Sequence, residues 1–445
     1  MKARRASTTC DALVLGAGAA GLAAAARLAS AGQSVILLEA RDRVGGRVWT
    51  RRARGLDAPL ELGAEFIHGR SARASLALLR QAGRAALPVR GQHLTLRGSR
   101  LASGDDLFAE LHRALPRLHA ERGADRSFAE LLAEARRAGV PRRVTDFACR
   151  LAEGFDAADP ERASAQAIVA EWTGSGAADA STFRPEGGYD RLLEPLLEAA
   201  RHGGARLRLR SIVRELRWSA EGVECEARQG RRTLRLRARR AVIALPLGVL
   251  QRAPGEAGAV RFTPALREKD RALSLLASGP VLRVVLRFRE PFWEQLLDGR
   301  LRDASFLFAP RAPFPTFWTQ SPVRSPVLVA WAGGPRAARM ERLPRPRLVR
   351  LALQSLEQLL GRQARVAAQL RSAHVHDWSA DPFARGAYSF ALVGGAGARR
   401  ELARPLRGTL FFAGEATDEE HAATVEGALR SGERAARAVL AAARR

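Results

Sequence analysis

Cysteine is scarce in this chain of 445 residues: Cys10, Cys149 and Cys225 are the whole set, and no two share a CxxC or Cys/His spacing. An odd, scattered trio excludes a disulfide framework and a thiolate zinc site, so free thiols and no metal centre are expected. Lysine is nearly missing as well. Only Lys2 and Lys269 occur, so the formal net charge of +27 is carried almost wholly by arginine. The arginines are spread along the chain, and in Arg206–Arg210 and Arg235–Arg237 they alternate with leucine, as on the wet face of a half-buried strand. That distribution lacks the clustered footprint of a nucleic-acid binder, and no nucleic-acid partner is expected. Long apolar runs are missing too: none approaches the roughly 20 residues that span a bilayer, so no membrane anchor is expected.

What remains is an ordinary globular composition, 47% hydrophobic, long enough for two or three domains with proper cores. There is no short-period repeat and no low-complexity linker. The basic, then apolar start, MKARRASTTCDALVLGAGAAGLAAAARLA, has the outline of a signal peptide. Cleavage there would destroy the motif described next, so the expected location is cytoplasmic.

The informative stretch is Asp11–Arg47. Apolar Ala12–Leu15 reads as a buried parallel strand, Gly16-x-Gly18-x-x-Gly21 follows, then good helix formers from Leu22 to Ala31. A second strand, Val35–Leu38, ends in Glu39. Strand, glycine turn, helix, strand and acid make up the dinucleotide-binding βαβ fingerprint. Gly16 permits the tight turn, Gly18 lets backbone approach a pyrophosphate, and Gly21 allows close helix–strand packing. The helix N-terminus offers free N–H groups to phosphate. Glu39, 18 residues past Gly21, suits a ribose hydroxyl and would repel a 2′-phosphate, which favours FAD or NAD over NADP. Arg41, Gly45, Gly46 and Arg47 follow at once and read as an extension of the cofactor site.

Along the rest of the chain, Leu60–Gly69 reads as a strand near that site. Helical spacing marks Ser71–Gln81, Asp105–Glu121, Ser127–Arg137, Pro141–Glu153 and Pro160–Trp172, a helical insertion of the kind that supplies a substrate wall. Arg184–Tyr189 opens a helix over Asp190–Ala200. Strands are expected at Ile212–Trp218, Val223–Ala227, Thr233–Arg237 and Ala241–Leu245, forming a meander beside the parallel sheet. Then come a helix near Pro264–Leu275, strands at Val281–Phe288, near Phe306 and Phe317, and at Val327–Trp331, a helix at Arg347–Leu360, a strand at Leu410–Ala413 and a final helix from about Thr424 to Ala443. The fold class is α/β, mixed α+β: a Rossmann-like cofactor domain (1–70, 184–262 and 408–445) interleaved with a substrate domain of mixed sheet plus helices (71–183 and 263–407).

Six segments together resemble the flavin-containing amine oxidases, the family of monoamine, polyamine and L-amino-acid oxidases and histone lysine demethylases. They are GAGAAG with Glu39–Arg47, LELGAEFIHG, PEGGY, ALPLGVL, Trp378–Ser389, and FFAGEATDEEHAATVEGALRSGERAA, spread from residue 11 to about 439. The resemblance implies FAD, with Gly16, Gly18, Gly21 and Glu39 on its ADP half and Val213 at the adenine edge. It puts Arg47 and Ala64 along the flavin side, and Gly414, Glu415, Thr424 and Val425 on the ribityl chain and ring. Trp378 would lie beside the flavin and Tyr388 would form an aromatic cage wall, whose face attracts an amine while excluding water. Trp172, Trp218 and Trp293 are expected to pack in the core.

Three positions depart from the family pattern. Ala387 stands where covalent members carry a cysteine, so FAD is expected to be noncovalent. Thr424 stands where monoamine oxidases have the second cage tyrosine, which makes the pocket roomier. Arg283 replaces the lysine that faces flavin N5; arginine is a poor base, yet it can anchor a water or pair with a substrate carboxylate. The expected reaction is hydride transfer from an amine α-carbon to flavin N5, imine hydrolysis, and reoxidation by O2 to H2O2, with His68 as an ionisable candidate beside Arg283 and Tyr388. A field of +27 disfavours polycations unless the tunnel mouth is locally acidic, so monoamines or amino acids are favoured and polyamines remain possible. Two other readings stay open: an FAD-dependent desaturase or dehydrogenase of a non-amine, and an FAD-binding protein impaired by Arg283.

Overall fold

In the computed structural model, which describes residues 8–98, 100–103, 105–119, 124–174 and 181–444, the N-terminal fingerprint forms as expected. Strand β1 (Thr8–Leu15) leads through Gly16 into helix α1 (Ala19–Ser30) and back to β2 (Val35–Leu38), which pairs parallel with β1. All four β2 residues are buried: Val35 and Leu37 pack with helices on one face, and Ile36 and Leu38 cluster with residues of the neighbouring strands on the other, which is why the run is unbroken and apolar. Strand Arg206–Arg208 flanks β2. On the other side of β1 lies Arg232–Ile243, parallel to it, and Leu410–Phe412 pairs with the end of that strand.

Ser211–Trp218, Val223–Gln229 and Arg232–Ile243 form an antiparallel meander. The two strands expected at Thr233–Arg237 and Ala241–Leu245 are one continuous strand: its first half alternates exposed and buried as part of the meander, and its last three residues are all buried in the parallel sheet. Arg261–Thr263 closes the sheet alongside Ser211–Trp218.

The alanine richness of α1 has a packing cause. Helix Val425–Ala443 crosses it so closely that a Cβ on Gly432 would come within 2.2 Å of the Ala20 carbonyl oxygen. Small side chains on both helices allow that approach, and the two chain ends are thereby joined over one face of the sheet.

A second sheet runs Leu370–Asp377, Val281–Phe288, Val327–Gly333, Thr316–Trp318, Ala304–Phe308, Gln92–Arg97 and Arg100–Ser103. Helix Arg345–Leu360 packs on its core side, contributing Leu348, Ala352, Leu356 and Leu359. Helices Asp105–His119, Phe128–Arg137, Arg142–Gly154 and Ala165–Thr173 build a separate apolar cluster around Phe128. Ala120 and Glu121, the expected end of the first of these, lie outside the described residues.

Four expectations need correction. Residues 71–183 are not helical throughout, because 92–103 form a hairpin that extends the second sheet; its two short strands carry only Leu94, Leu96 and Leu101 as apolar markers. Leu60–Gly69 is not one strand. Gly63 turns the chain where a Cβ would lie 1.8 Å from the Arg47 carbonyl oxygen, so Leu60–Glu61 pairs with Thr50–Arg51 and Ile67–His68 with Thr182–Phe183. The helix after PEGGY begins as a 3-10 turn, Tyr189–Leu193, before Glu194–His202. Leu370–Asp377 and the Leu276–Gly279/Tyr388–Ala391 pair were not expected as strands at all.

Candidate active site

One cavity of about 1560 Å³ runs from the carboxyl end of β1 to the face of the second sheet. Gly16, Gly18, Glu39, Arg41, Gly45, Gly46, Arg47, Ala64, His68, Val213, Arg283, Trp378, Tyr388, Gly414, Glu415, Thr424 and Val425 all line it. Gly21 does not; a Cβ there would sit 1.8 Å from the Gly16 carbonyl oxygen, so its task is packing. Gly16 turns at φ +97°, with its N–H on Leu38 O at 2.8 Å. Gly18 differs from both. A Cβ at Gly18 meets only Gly45 O at 3.8 Å, so its small size leaves room toward the cavity, not toward protein.

Glu39 is buried and aimed by backbone: its carboxylate accepts from Ala17 N–H and Arg41 N–H, each at 2.9 Å. Arg41 reaches Asp381 at 2.8 Å and does not project freely. Arg43 donates to the carbonyls of Val48 (3.0 Å) and Gly46 (2.9 Å), pinning the loop in which Gly45 and Gly46 adopt φ +99° and +58°. Two helix N-termini, α1 and Val425–Ala443, also border the cavity. Thr424 caps the latter, accepting from Gly427 N–H at 3.1 Å and donating to His421 O at 2.7 Å, so its hydroxyl is committed to the helix end. Glycine with open space before it, a backbone-held carboxylate and helix N-termini fit a dinucleotide cofactor such as FAD.

Around the middle of the cavity, Arg47 donates to Ala387 O (2.6 Å) and to Glu415 (2.9 Å). Burial pushes the Glu415 carboxyl up, but Arg47, Arg399 and the Ser389 hydroxyl at 2.6 Å more than offset it and hold it below its usual range. Gly414, at φ +133°, donates its N–H to Ser431 at 2.8 Å. Trp378 is buried, with its indole N–H on Leu62 O at 3.0 Å.

Arg283 is not free to meet a substrate carboxylate. One guanidinium nitrogen donates to Gly63 O at 2.7 Å and the other binds Glu65, whose second oxygen is held by Arg184. Arg184 also donates to Thr319 O (2.8 Å) and Ser321 O (3.1 Å). All three charged side chains are buried. Burial lowers each guanidinium to about 9, still charged at neutral pH. The arrangement is an internal arginine–glutamate–arginine clamp whose carboxylate occupies the place a substrate's would need.

His68 opens onto the cavity, edge-on to Phe155 at 5.2 Å. Its ring is exposed into that cavity, yet the protein packed around it depresses its pKa to about 4, so it is neutral at pH 7. Because the folded value lies below the unfolded one, this group contributes stability that is present above about pH 6.5 and is lost as pH falls toward 4. His68→Gln should therefore flatten the urea-midpoint profile across that window; superposable profiles would show that His68 protonates without cost. Tyr388 donates its hydroxyl to Phe155 O at 2.7 Å, and burial raises its pKa, so it presents a neutral aromatic wall.

Several cavity residues carry no local signal. Glu65 is one of two acids inside LELGAEFIHG, and its partners stand 119 and 218 residues away. Asp156, in the bend after helix Arg142–Gly154, and Glu171, in helix Ala165–Thr173, both line the cavity. Trp172 is more than core: it lines the cavity and its indole N–H donates to Asp156 at 3.2 Å. Trp218 and Trp293 are core residues as expected.

A dinucleotide βαβ unit whose cavity continues to an aromatic wall on a second sheet is the build of a flavoprotein oxidoreductase. The family of flavin containing amine oxidoreductases matches residues 19–440, and the chain belongs to that family. Polyamine oxidase 3 of Oryza sativa subsp. japonica is 30% identical, over 96% of this chain and 89% of its own. Lysine-specific histone demethylase 2 of Homo sapiens is 27% identical over 96% of this chain and 53% of its own, so the chain spans about half the length of such relatives. A putrescine oxidase solved with putrescine bound superposes with a TM-score of 0.80 at 23% identity, covering 98% of this chain and all of that one. Cyclohexylamine oxidase from Brevibacterium oxydans gives 0.78 at 23%, with the same coverage. No described helix is long and apolar enough to cross a membrane.

Proposed function

We propose that this chain binds FAD noncovalently and oxidises an amine, with O2 as the electron acceptor. FAD, when bound, supplies the hydride acceptor; released imine hydrolyses in water, and two electrons with two protons convert O2 to H2O2. The observation that carries this reading is the continuity of one cavity from Gly18 and Glu39 to Tyr388 and His68. Gly16, Gly18, Glu39 and Val213 would hold the ADP half, and Arg47, Ala64, Trp378, Gly414, Glu415, Thr424 and Val425 the flavin half. The interleaved domains proposed from the sequence would give each half its wall. No cysteine lines the cavity and Ala387 does, which supports a noncovalent cofactor.

The chain's own contribution is binding and desolvation. Tyr388 offers a ring face that favours an amine and sheds water. His68, neutral at pH 7, sets no second cation against an entering amine. Recognition of an amino-acid carboxylate through Arg283 loses its support, because Glu65 already fills that role. The purified protein is expected to be yellow, to release its flavin into acid, and to bleach when an amine is added without air. Flavin that stays with acid-precipitated protein would overturn noncovalent binding, and failure of every amine to bleach it would overturn the activity.

A further inference from the structure

The strand that carries Tyr388 has little sheet to lean on. Tyr388–Ala391 pairs with Leu276–Gly279 in a sheet of two strands, and a lone pair of strands is marginal by itself. Side chains from distant parts of the chain hold it instead. On one side of Tyr388, Arg47 donates to Ala387 O at 2.6 Å; the Tyr388 hydroxyl itself reaches Phe155 O at 2.7 Å. On the other side stands Arg399. One of its guanidinium nitrogens donates to the Ser389 hydroxyl at 2.5 Å and another to Ser389 O at 2.9 Å. That hydroxyl in turn donates to Glu415 at 2.6 Å.

Arg399 is an uncommon use of a cation. It is buried and lines the cavity, while its neighbour Arg400 is exposed and pairs with Glu419. Among the described residues Arg399 has no carboxylate in contact, and both of its side-chain hydrogen bonds go to Ser389. Burying a charge without an ion-pair partner is costly, so an apolar side chain would fill a packing role better. The helix that bears it, Ala398–Ala403, is a firm base. Ala398 and Leu402 are buried in one apolar cluster with Ala391 and Ala416, and the Lys269 ammonium binds the carbonyls of Glu401 (2.7 Å) and Arg404 (2.6 Å) at the helix end.

We propose that Arg399 is a positioning residue: its fork on the hydroxyl and carbonyl of Ser389 sets the Tyr388 ring in the cavity wall and turns the Ser389 hydroxyl toward Glu415. What the ring is set for rests on the amine-oxidising reading above; that Arg399 sets it does not. The planar guanidinium matters, because two nitrogens reach hydroxyl and carbonyl at once in one fixed geometry, which the single nitrogen of a lysine does not copy. Its charge contributes separately: burial pushes the Glu415 carboxyl up, and Arg399, after Arg47, pulls it down.

The chain has two tyrosines, Tyr189 and Tyr388, so protein labelled with 3-fluorotyrosine gives two fluorine signals, assigned by Tyr388→Phe. Tyr189, packed in the core around α1, reports on the fold. Arg399→Lys, which keeps the charge, and Arg399→Gln should each shift or broaden the Tyr388 signal and leave that of Tyr189 in place. With putrescine and cyclohexylamine as probes, anaerobic flavin bleaching should slow on the order of 10–100-fold, as for a misplaced reacting geometry, while Arg399→Lys keeps its flavin. Ser389→Ala removes the hydroxyl arm alone and should displace the same signal by less, which serves if the arginine variants do not fold. A Tyr388 signal unmoved in these variants overturns the assignment. So does movement of both signals together with a lowered thermal midpoint, the result of a merely structural arginine. Bleaching at the wild-type rate with the ring displaced overturns its part in the reaction. If no amine bleaches the wild-type flavin, the oxidase reading fails, and the Tyr388 signal still decides whether Arg399 places the ring.

Discussion

Glu65→Gln should cost the fold about 3–5 kcal/mol, the range for removing one partner of a buried ion pair. The reason is the clamp: Arg184 and Arg283 are both buried, both bind Glu65, and neither has another carboxylate in contact among the described residues. Glutamine keeps the shape and one acceptor but leaves two guanidinium charges in a place where charge is expensive. Urea unfolding measures the loss. Removing all three charges together, as Arg184→Met/Glu65→Leu/Arg283→Met, should be much milder, because the desolvation penalty disappears with the attraction. A single-variant cost below about 1 kcal/mol, the range of an exposed pair, would show that water reaches the clamp. Since Arg283 also holds Gly63 O, flavin content should fall in Glu65→Gln alongside stability.

The second large effect separates two glycines of one motif. Gly18→Ala should fold normally, because its φ of −75° suits alanine and the nearest protein atom lies 3.8 Å from the new Cβ. It should nonetheless bind FAD on the order of 10–100-fold more weakly, the cost of lengthening one or two hydrogen bonds to a charged pyrophosphate. Gly21→Ala should do the reverse first. Its Cβ would lie 1.8 Å from Gly16 O, so α1 must shift, with a stability loss of about 1–3 kcal/mol or more from overpacking. Flavin absorbance after gel filtration and the thermal midpoint tell these outcomes apart. Normal flavin content in Gly18→Ala would remove the pyrophosphate from that position.

The sequence by itself determined the parts whose physics is local. A strand, a glycine turn and a helix need only a few neighbouring residues to be recognised, and β1, α1, β2 and Glu39 stand as their spacing required. The capped start of the final helix at Thr424 was similarly legible. Elements whose register depends on distant partners were not. The 92–103 hairpin, the break at Gly63 and the strand at Leu370–Asp377 take their form from chain segments brought up by the fold. Charges are the extreme case. The sequence showed an isolated Arg283, and from it a free guanidinium followed reasonably. Only the tertiary structure brought Glu65 and Arg184 to Arg283, and buried Arg399 beside an exposed Arg400. Coulomb energies depend on separation and burial, neither of which is written in residue order.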